Sequence, residues 1–223
     1  MLEIQIMPSI LAADMARLEI ECRRALEAGS DGLHVDVMDG HFVPNLSMGP
    51  SVVSAVRSYF PDTHLSVHLM IVRPDTYAET FVKAGSDTLL IHIESPCAIP
   101  ETLKQIRSLG ARPGITLNPD TPAEAVYGVV DEGLVDEILC MTVFPGFGGQ
   151  AFIKDVLPKI QALRTRYPGL DISVDGGIDQ ETAPQTAQAG ANIMLAGTSL
   201  FKAQDMTKAV TQMRTTCADH FSA

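Results

Sequence analysis

Two hydrophobic rhythms alternate along the chain. Short apolar runs read as strands, and longer segments with apolar positions every three or four residues read as helices. The strand candidates are IMPSIL (6–11), GLHVDVM (32–38), HLSVHLM (64–70), TLLIHIE (88–94), RPGITLN (112–118), EILCMTV (137–143), DISVDGG (171–177) and NIMLAGT (192–198). Helical segments lie between them, among them MARLEIECRRALEAG (15–29) and PSVVSAVRSYF, which opens on Pro50. Proline suits a first helical position because the N–H it lacks has no intrahelical partner there.

A weak internal repeat supports this order. AGSD occurs at 28–31 and 84–87, and AGAN at 189–192. Each copy closes a helical pattern with glycine just ahead of a strand, as helix C-termini commonly do. The first two copies are 56 residues apart, two βα units of about 28 residues, and eight such units match a chain of 223. The pattern predicts an α/β protein, a single (β/α)8 TIM barrel over residues 1–223, a little shorter than the roughly 250 residues usual for that fold. An open doubly wound sheet would be favoured by GxGxxG after the first strand. The first strand runs into SILAADM instead.

Polar residues sit where this pattern calls for burial. In a strand, residues two apart share a face, so His34, Asp36 and Met38 point one way, as do Ser66, His68 and Met70, and Ser173 and Asp175. These groups approach the C-terminal ends of their strands, where barrels of this kind carry active sites. Burying an unpaired charge is expensive unless a partner or a metal compensates. His34, Asp36, His68 and Asp175 offer two imidazoles and two carboxylates. That set suits a divalent ion such as Zn, Fe(II), Mn or Co, without choosing among them. A lone strand histidine is more often a hydrogen-bonded core residue, so that reading stays open beside the metal. His92 and Glu94 of IHIE read as structural, or as supports for the site; His41, His64 and His220 read as loop or terminal residues.

Composition narrows the function classes. Hydrophobic residues make up 46% and aromatics only 5%, with no Trp, so aliphatic side chains must fill the core. A net charge of −11 argues against a basic nucleic-acid surface. An anionic ligand would have to be held by local donors such as backbone N–H groups. Three glycine clusters could supply them: PGFGG (145–149), DGGI (175–178) and AGTS (196–199), each after one of the last three strands. Loops at that end of a barrel often bind phosphate. Cys22, Cys97, Cys140 and Cys217 form no CxxC pair and read as reduced thiols. The N-terminus MLEIQIMPSI has no basic segment, and no apolar run approaches the roughly 20 residues of a membrane helix. The expectation is a cytoplasmic protein that binds neither membrane nor nucleic acid.

In order along the chain, PSILAAD (8–14), LHVDVMDGHFVPN (33–45), VHLM (67–70), MTVFPGFGGQ (141–150), VDGGI (174–178) and AGTSLF (196–201) resemble the ribulose-phosphate 3-epimerase family. The resemblance implies a ribulose-phosphate-binding barrel and an isomerase of the pentose phosphate pathway, acting on a small phosphorylated ketose. It implies one divalent metal ion per subunit on His34, Asp36, His68 and Asp175, with Asp36 and Asp175 also the acid–base pair. Ser9 and His68 would contact substrate. Gly146, Phe147, Gly148, Gly149, Gly176, Gly177, Gly197 and Thr198 would hold its phosphate side, and Met38, Met70 and Met141 would surround the reacting carbons. Relatives assemble, so a homo-oligomer is expected. Two positions depart from the family pattern: Phe144 stands where Asn or an acidic residue is expected, and Thr198 where Ser is more usual. The rival readings are an epimerase for a related sugar such as allulose 6-phosphate, a silent sugar-phosphate-binding barrel, and a metal-free decarboxylase. The last would carry D-x-K-x-x-D on an early strand, and VDVMDG has no Lys.

Overall fold

The computed structural model describes residues 2–221. Its strands are β1 (Gln5–Pro8), β2 (Gly32–Met38), β3 (His64–Met70), β4 (Thr88–His92), β5 (Arg112–Leu117), β6 (Glu137–Met141), β7 (Asp171–Asp175) and β8 (Ile193–Ala196). The helices are α1 (Leu18–Glu27), α2 (Pro50–Tyr59), α3 (Pro74–Ala84), α4 (Ile99–Ser108), α5 (Tyr127–Asp131), α6 (Leu157–Arg166), α7 (Ala183–Gln188), α8 (Thr198–Phe201) and α9 (Met206–His220). Neighbouring strands are parallel, in the order β1-β8-β7-β6-β5-β4-β3-β2. The seam between β1 and β2 is drawn together by a single bridge from Ser9 to His34 and by the Asp31 N–H donating to the Ile6 carbonyl at 3.0 Å. The result is the TIM barrel that the alternating rhythms predict.

The period of two separates two cores. Leu33, Val35 and Val37 of β2 pack outward with Leu65, Val67 and Leu69 of β3 against buried helix residues such as Val53, Val56 and Phe81. The interior of the barrel is filled by Met7, Leu90, Leu139, Met141, Val143, Ile193 and Leu195. Helix α4 shows how the outer layer is built. Its buried positions Ile99, Thr102, Leu103 and Ile106 recur at helical spacing and form one stripe. Each fully buried aliphatic side chain contributes about 1.5–3 kcal/mol, so Leu103→Ala should cost about 2–5 kcal/mol. Proline occupies the first turn of α2, α3, α4, α6 and α7. Among the described residues, no helix is long and apolar enough to cross a membrane.

Strands β2 and β3 keep the ends read from the sequence, whereas the other six are shorter. Strand β7 stops at Asp175 because Gly176 and Gly177 take φ of 113° and 65°, outside the extended region. Strand β1 stops at Pro8, and Ile10–Ala12 forms a tight turn instead. The 15–29 helix begins as a similar turn over Met15–Arg17, capped by the Asp14 carboxylate, before α1 starts at Leu18. His64 corrects the loop reading: it opens β3, and its Nε2 lies 3.0 Å from the Thr88 hydroxyl.

The AGSD repeat marks a clamp at the N-terminal floor of the barrel. Asp31, Asp87 and Asn192 each donate their N–H to a carbonyl of the strand before, on Ile6, Leu65 and Ile172. Their side-chain oxygens accept the N–H of those same three residues at 2.7–2.8 Å. An arginine then locks each copy: Arg214, Arg57 and Arg164 contact these side chains and also donate to the carbonyls of Gly29, Gly85 and Gly190. The fourth quarter keeps half of the device. Asp136 donates its N–H to the Pro113 carbonyl and pairs with Arg107, but Pro113 has no N–H to return.

Candidate active site

The strand pattern delivers polar side chains to the C-terminal mouth. Asp36 and His68 are register partners on β2 and β3. Asp175 ends β7. His34, Asp36, His68 and Asp175 each present one ligand atom, and these atoms lie within 4.8 Å of one another. The Asp36 Oδ1 atom is 3.3 Å from His34 Nε2 and 3.3 Å from His68 Nδ1. Its Oδ2 accepts the Ser9 hydroxyl at 2.5 Å, which ties the β1 end to the site.

Burial sets the electrostatics. Desolvation alone would raise the Asp36 carboxyl, but His34 foremost, then His68, hold it far below the ordinary carboxylate range. Asp175 keeps part of its surface exposed at the end of β7, yet desolvation, then the Asp36 charge, push it well above that range. For His34, burial opposes protonation, yet Asp36, Asp175 and Glu137 raise it overall. Desolvation lowers His68 to about 4.

The donor set fits a divalent ion. His34 Nε2 is buried without a hydrogen-bond partner, whereas its Nδ1 has the Ser66 hydroxyl at 3.2 Å. An orphaned buried nitrogen is costly, and here it faces a carboxylate pair whose mutual repulsion raises one member. A cation among these four groups would satisfy the nitrogen and relieve the repulsion.

Above this cluster opens a cavity of about 560 Å³. Asp36, Asp175, Ser9, Met38, Met70 and Met141 line it, whereas His34 and His68 lie fully buried and outside its lining. The other wall is formed by Gly146, Phe147, Gly148, Gly149, Gly176, Gly177, Gly197 and Thr198. The three glycine clusters therefore converge on one cavity wall. The Gly146 carbonyl accepts from the Asn45 side chain at 2.7 Å, joining the loop after β2 to the loop after β6. Phe147 is half exposed in that wall, and Phe144, outside the lining, exposes about half its surface.

Lys202 was not found by sequence reasoning. It follows α8 and lines the cavity beside Thr198 and Ser199. Its only signal was its spacing of four residues from Thr198, about one helical turn. His92, read from the sequence as structural or as a support for the site, is buried, and its Nε2 lies 2.8 Å from His68 Nε2.

An all-parallel barrel with imidazoles and carboxylates gathered at its C-terminal mouth defines a (β/α)8 enzyme. Comparison with known proteins names the family. The family model "Ribulose-phosphate 3 epimerase family" matches residues 5–201. Ribulose-phosphate 3-epimerase of Bacillus subtilis is 44% identical, over 95% of this chain and 98% of its own. The protein of that name from Synechocystis is 47% identical, over 95% and 93%. The chain belongs to the ribulose-phosphate 3-epimerase family and is an isomerase. Among solved structures, 3-keto-L-gulonate-6-phosphate decarboxylase from Vibrio cholerae superposes with a TM-score of 0.76 at 14% identity, over 100% of both chains. At that identity the likeness shows the fold alone.

Proposed function

We propose that this protein interconverts D-ribulose 5-phosphate and D-xylulose 5-phosphate by proton transfer at C3, using a divalent ion. One observation carries the reading: Asp36 and Asp175 meet at the floor of one cavity with their pKa values pushed in opposite directions. A pair driven apart in this way assigns its own acid and base.

Inverting a carbon through a planar enediolate needs one proton-transfer group on each face. Asp36 on β2 and Asp175 on β7 come from separate strands, and both line the cavity. In one direction Asp36 takes the C3 proton and Asp175 delivers one to the other face. The roles exchange in the reverse direction, so both carboxyls must cycle. His34, Asp36, His68 and Asp175 would hold the divalent ion, which supplies Lewis acidity against the negative charge of the enediolate. Ser9 donates to Asp36 and fixes the base in place. Met38, Met70 and Met141 present apolar surface around the reacting carbon and keep water from it. The glycine N–H groups at 146–149, 176–177 and 197, with the Thr198 hydroxyl, hold the phosphate, and Lys202 adds the cationic charge that those clusters lack.

The test is NMR of D-ribulose 5-phosphate in heavy water with this protein, before and after chelation. Deuterium entering C3 with formation of xylulose 5-phosphate, lost on chelation and restored by metal, is the expected result. Exchange that survives complete metal removal overturns the metal assignment and keeps the epimerase. No exchange in the metal-loaded protein overturns the substrate.

A further inference from the structure

Behind the site runs a line of groups that touch neither cavity nor substrate position. His68 Nε2 is 2.8 Å from His92 Nε2, and His92 Nδ1 is 3.0 Å from Glu94 Oε2. The imidazole centroids are 4.9 Å apart, much farther than the facing nitrogens, so the rings meet edge to edge. The other Glu94 oxygen, Oε1, accepts the Asn118 N–H at 2.8 Å and the Thr121 hydroxyl at 2.5 Å. Lys159 secures that loop by donating to the Asn118 and Pro119 carbonyls at 2.6 and 3.0 Å.

Hydrogen bonding at these distances leaves little freedom for protons. Between two nitrogens 2.8 Å apart there is room for one proton, not two. A neutral imidazole carries its proton on one nitrogen and a lone pair on the other. Glu94, acceptor-only when ionised, asks for the proton of His92 on Nδ1. The His92 Nε2 lone pair then asks for a proton on His68 Nε2. Asp36 faces the remaining nitrogen, Nδ1, at 3.3 Å and asks for a proton there too, but the contacts on the Glu94 side, 2.8 and 3.0 Å, are shorter and leave the His68 lone pair on Nδ1. His34 is arranged the other way round. Its Nδ1 is engaged by Ser66 and its free nitrogen is Nε2.

We propose that Glu94 and His92 are positioning residues that fix the tautomer of His68, so that the site takes its ion through His68 Nδ1 and His34 Nε2. The proposal rests on the reading of His68 as a metal ligand. Partners behind a ligating histidine orient the ring and raise its basicity, and their loss commonly weakens metal affinity about 10–100-fold.

Glu94→Gln tests the polarity of the line with almost no change of shape. Two donors already hold Oε1, so the amide oxygen of Gln takes that side and its NH₂ faces His92 Nδ1. His92 must then accept at Nδ1 and donate from Nε2, which moves the His68 proton to Nδ1 and removes the lone pair. In protein carrying ¹⁵N-histidine, long-range nitrogen–proton NMR reads each tautomer directly. The wild type is expected to show His68 protonated at Nε2 and His34 at Nδ1, with zinc perturbing the other nitrogen of each. E94Q is expected to show His68 inverted, His34 unchanged and zinc affinity lower by about 10–100-fold. His92→Gln places an amide that can offer its oxygen to His68, and it is expected to keep most of the affinity, whereas His92→Leu is not. Zinc bound through His68 Nε2, or E94Q with unaltered tautomer and affinity, overturns the relay while leaving the metal site standing. A wild type in which zinc perturbs neither His34 nor His68 overturns the metal reading itself.

Discussion

The two ends of the barrel are both rich in charge, and they treat it in opposite ways. At the N-terminal floor, Arg57, Arg164 and Arg214 each serve a carbonyl, a strand-end side chain and a helix terminus at once. Asp171 accepts from Arg112 at 2.6 Å and from Asn192 at 2.9 Å. At the mouth, two carboxylates crowd together, one imidazole nitrogen has no partner, and the four groups pull one another's pKa values apart. A satisfied polar network holds a fold together, while a frustrated one waits for something to bind.

The comparison is broken most sharply at Asp175. Asp175→Asn is expected to lower epimerase turnover by about 10²–10⁴-fold or more, as loss of a general acid–base group does. The same change should raise the melting temperature of metal-free protein above neutral pH. Asp175 has a folded value above its unfolded one, so the folded state is penalised once pH exceeds the ordinary carboxyl value, and increasingly so through the raised value. Asn removes that penalty, at about 2–4 °C for each kcal/mol in a chain of this length. A melting temperature unchanged or lowered in calorimetry counts against the frustrated mouth.

Metal loading comes next. Zinc or manganese should raise the melting temperature, with EDTA reversing it, because a ligand that binds only the folded state stabilises it by mass action. Binding should release protons, since Asp175 and His34 hold theirs more tightly than usual in the metal-free site. Apparent affinity should therefore fall as pH is lowered, and isothermal titration in buffers of different ionisation enthalpy counts the protons.

At the floor the expected effects reverse. Arg57→Met should cost about 1.5–3 kcal/mol in urea melts by stranding carbonyls of Gly85 and Thr63, with kcat of the folded protein unchanged. Arg107→Ala is expected to cost least, about 0.2–1 kcal/mol, because its pair with Asp136 is exposed and Pro113 withholds the reciprocal strand bond.

The legible parts of this molecule are those written in local periodicity. The alternation of GLHVDVM and HLSVHLM placed His34, Asp36 and His68 on inward faces, and β2 and β3 have the ends that their runs suggest. The glycines after β6, β7 and β8 pointed to one wall of the cavity. Strand ends were overrun where the apolar run continues past the ladder, as at Gly176 after β7 and at Ile10–Ala12, which folds as a tight turn after β1. Contacts set by closure were illegible. Nothing local joins Ser9 to Asp36, His92 to His68 or Arg214 to Asp31, which lie 27, 24 and 183 residues apart. The AGSD copies were visible as a repeat, but their role as arginine clamps needed the neighbouring strands in place. His64 reads both as the first residue of HLSVHLM and as a loop histidine, and the β3 ladder, with Thr88 on the next strand beside its ring, decides for the strand.

The seam between β1 and β2 gives the barrel a kinetic signature. Ser9 bridges His34 across the seam, and its hydroxyl also holds Asp36. The cluster on β2, β3 and β7 is thus complete only when the first strand has docked and the circle has closed. Bringing such distant segments together is slow, and their mutual contacts form late. An ion held at the mouth therefore acts on a structure absent from the folding transition state. In a chevron plot it should lower the unfolding limb and leave the refolding limb in place, prolonging the life of the native barrel without hastening its birth.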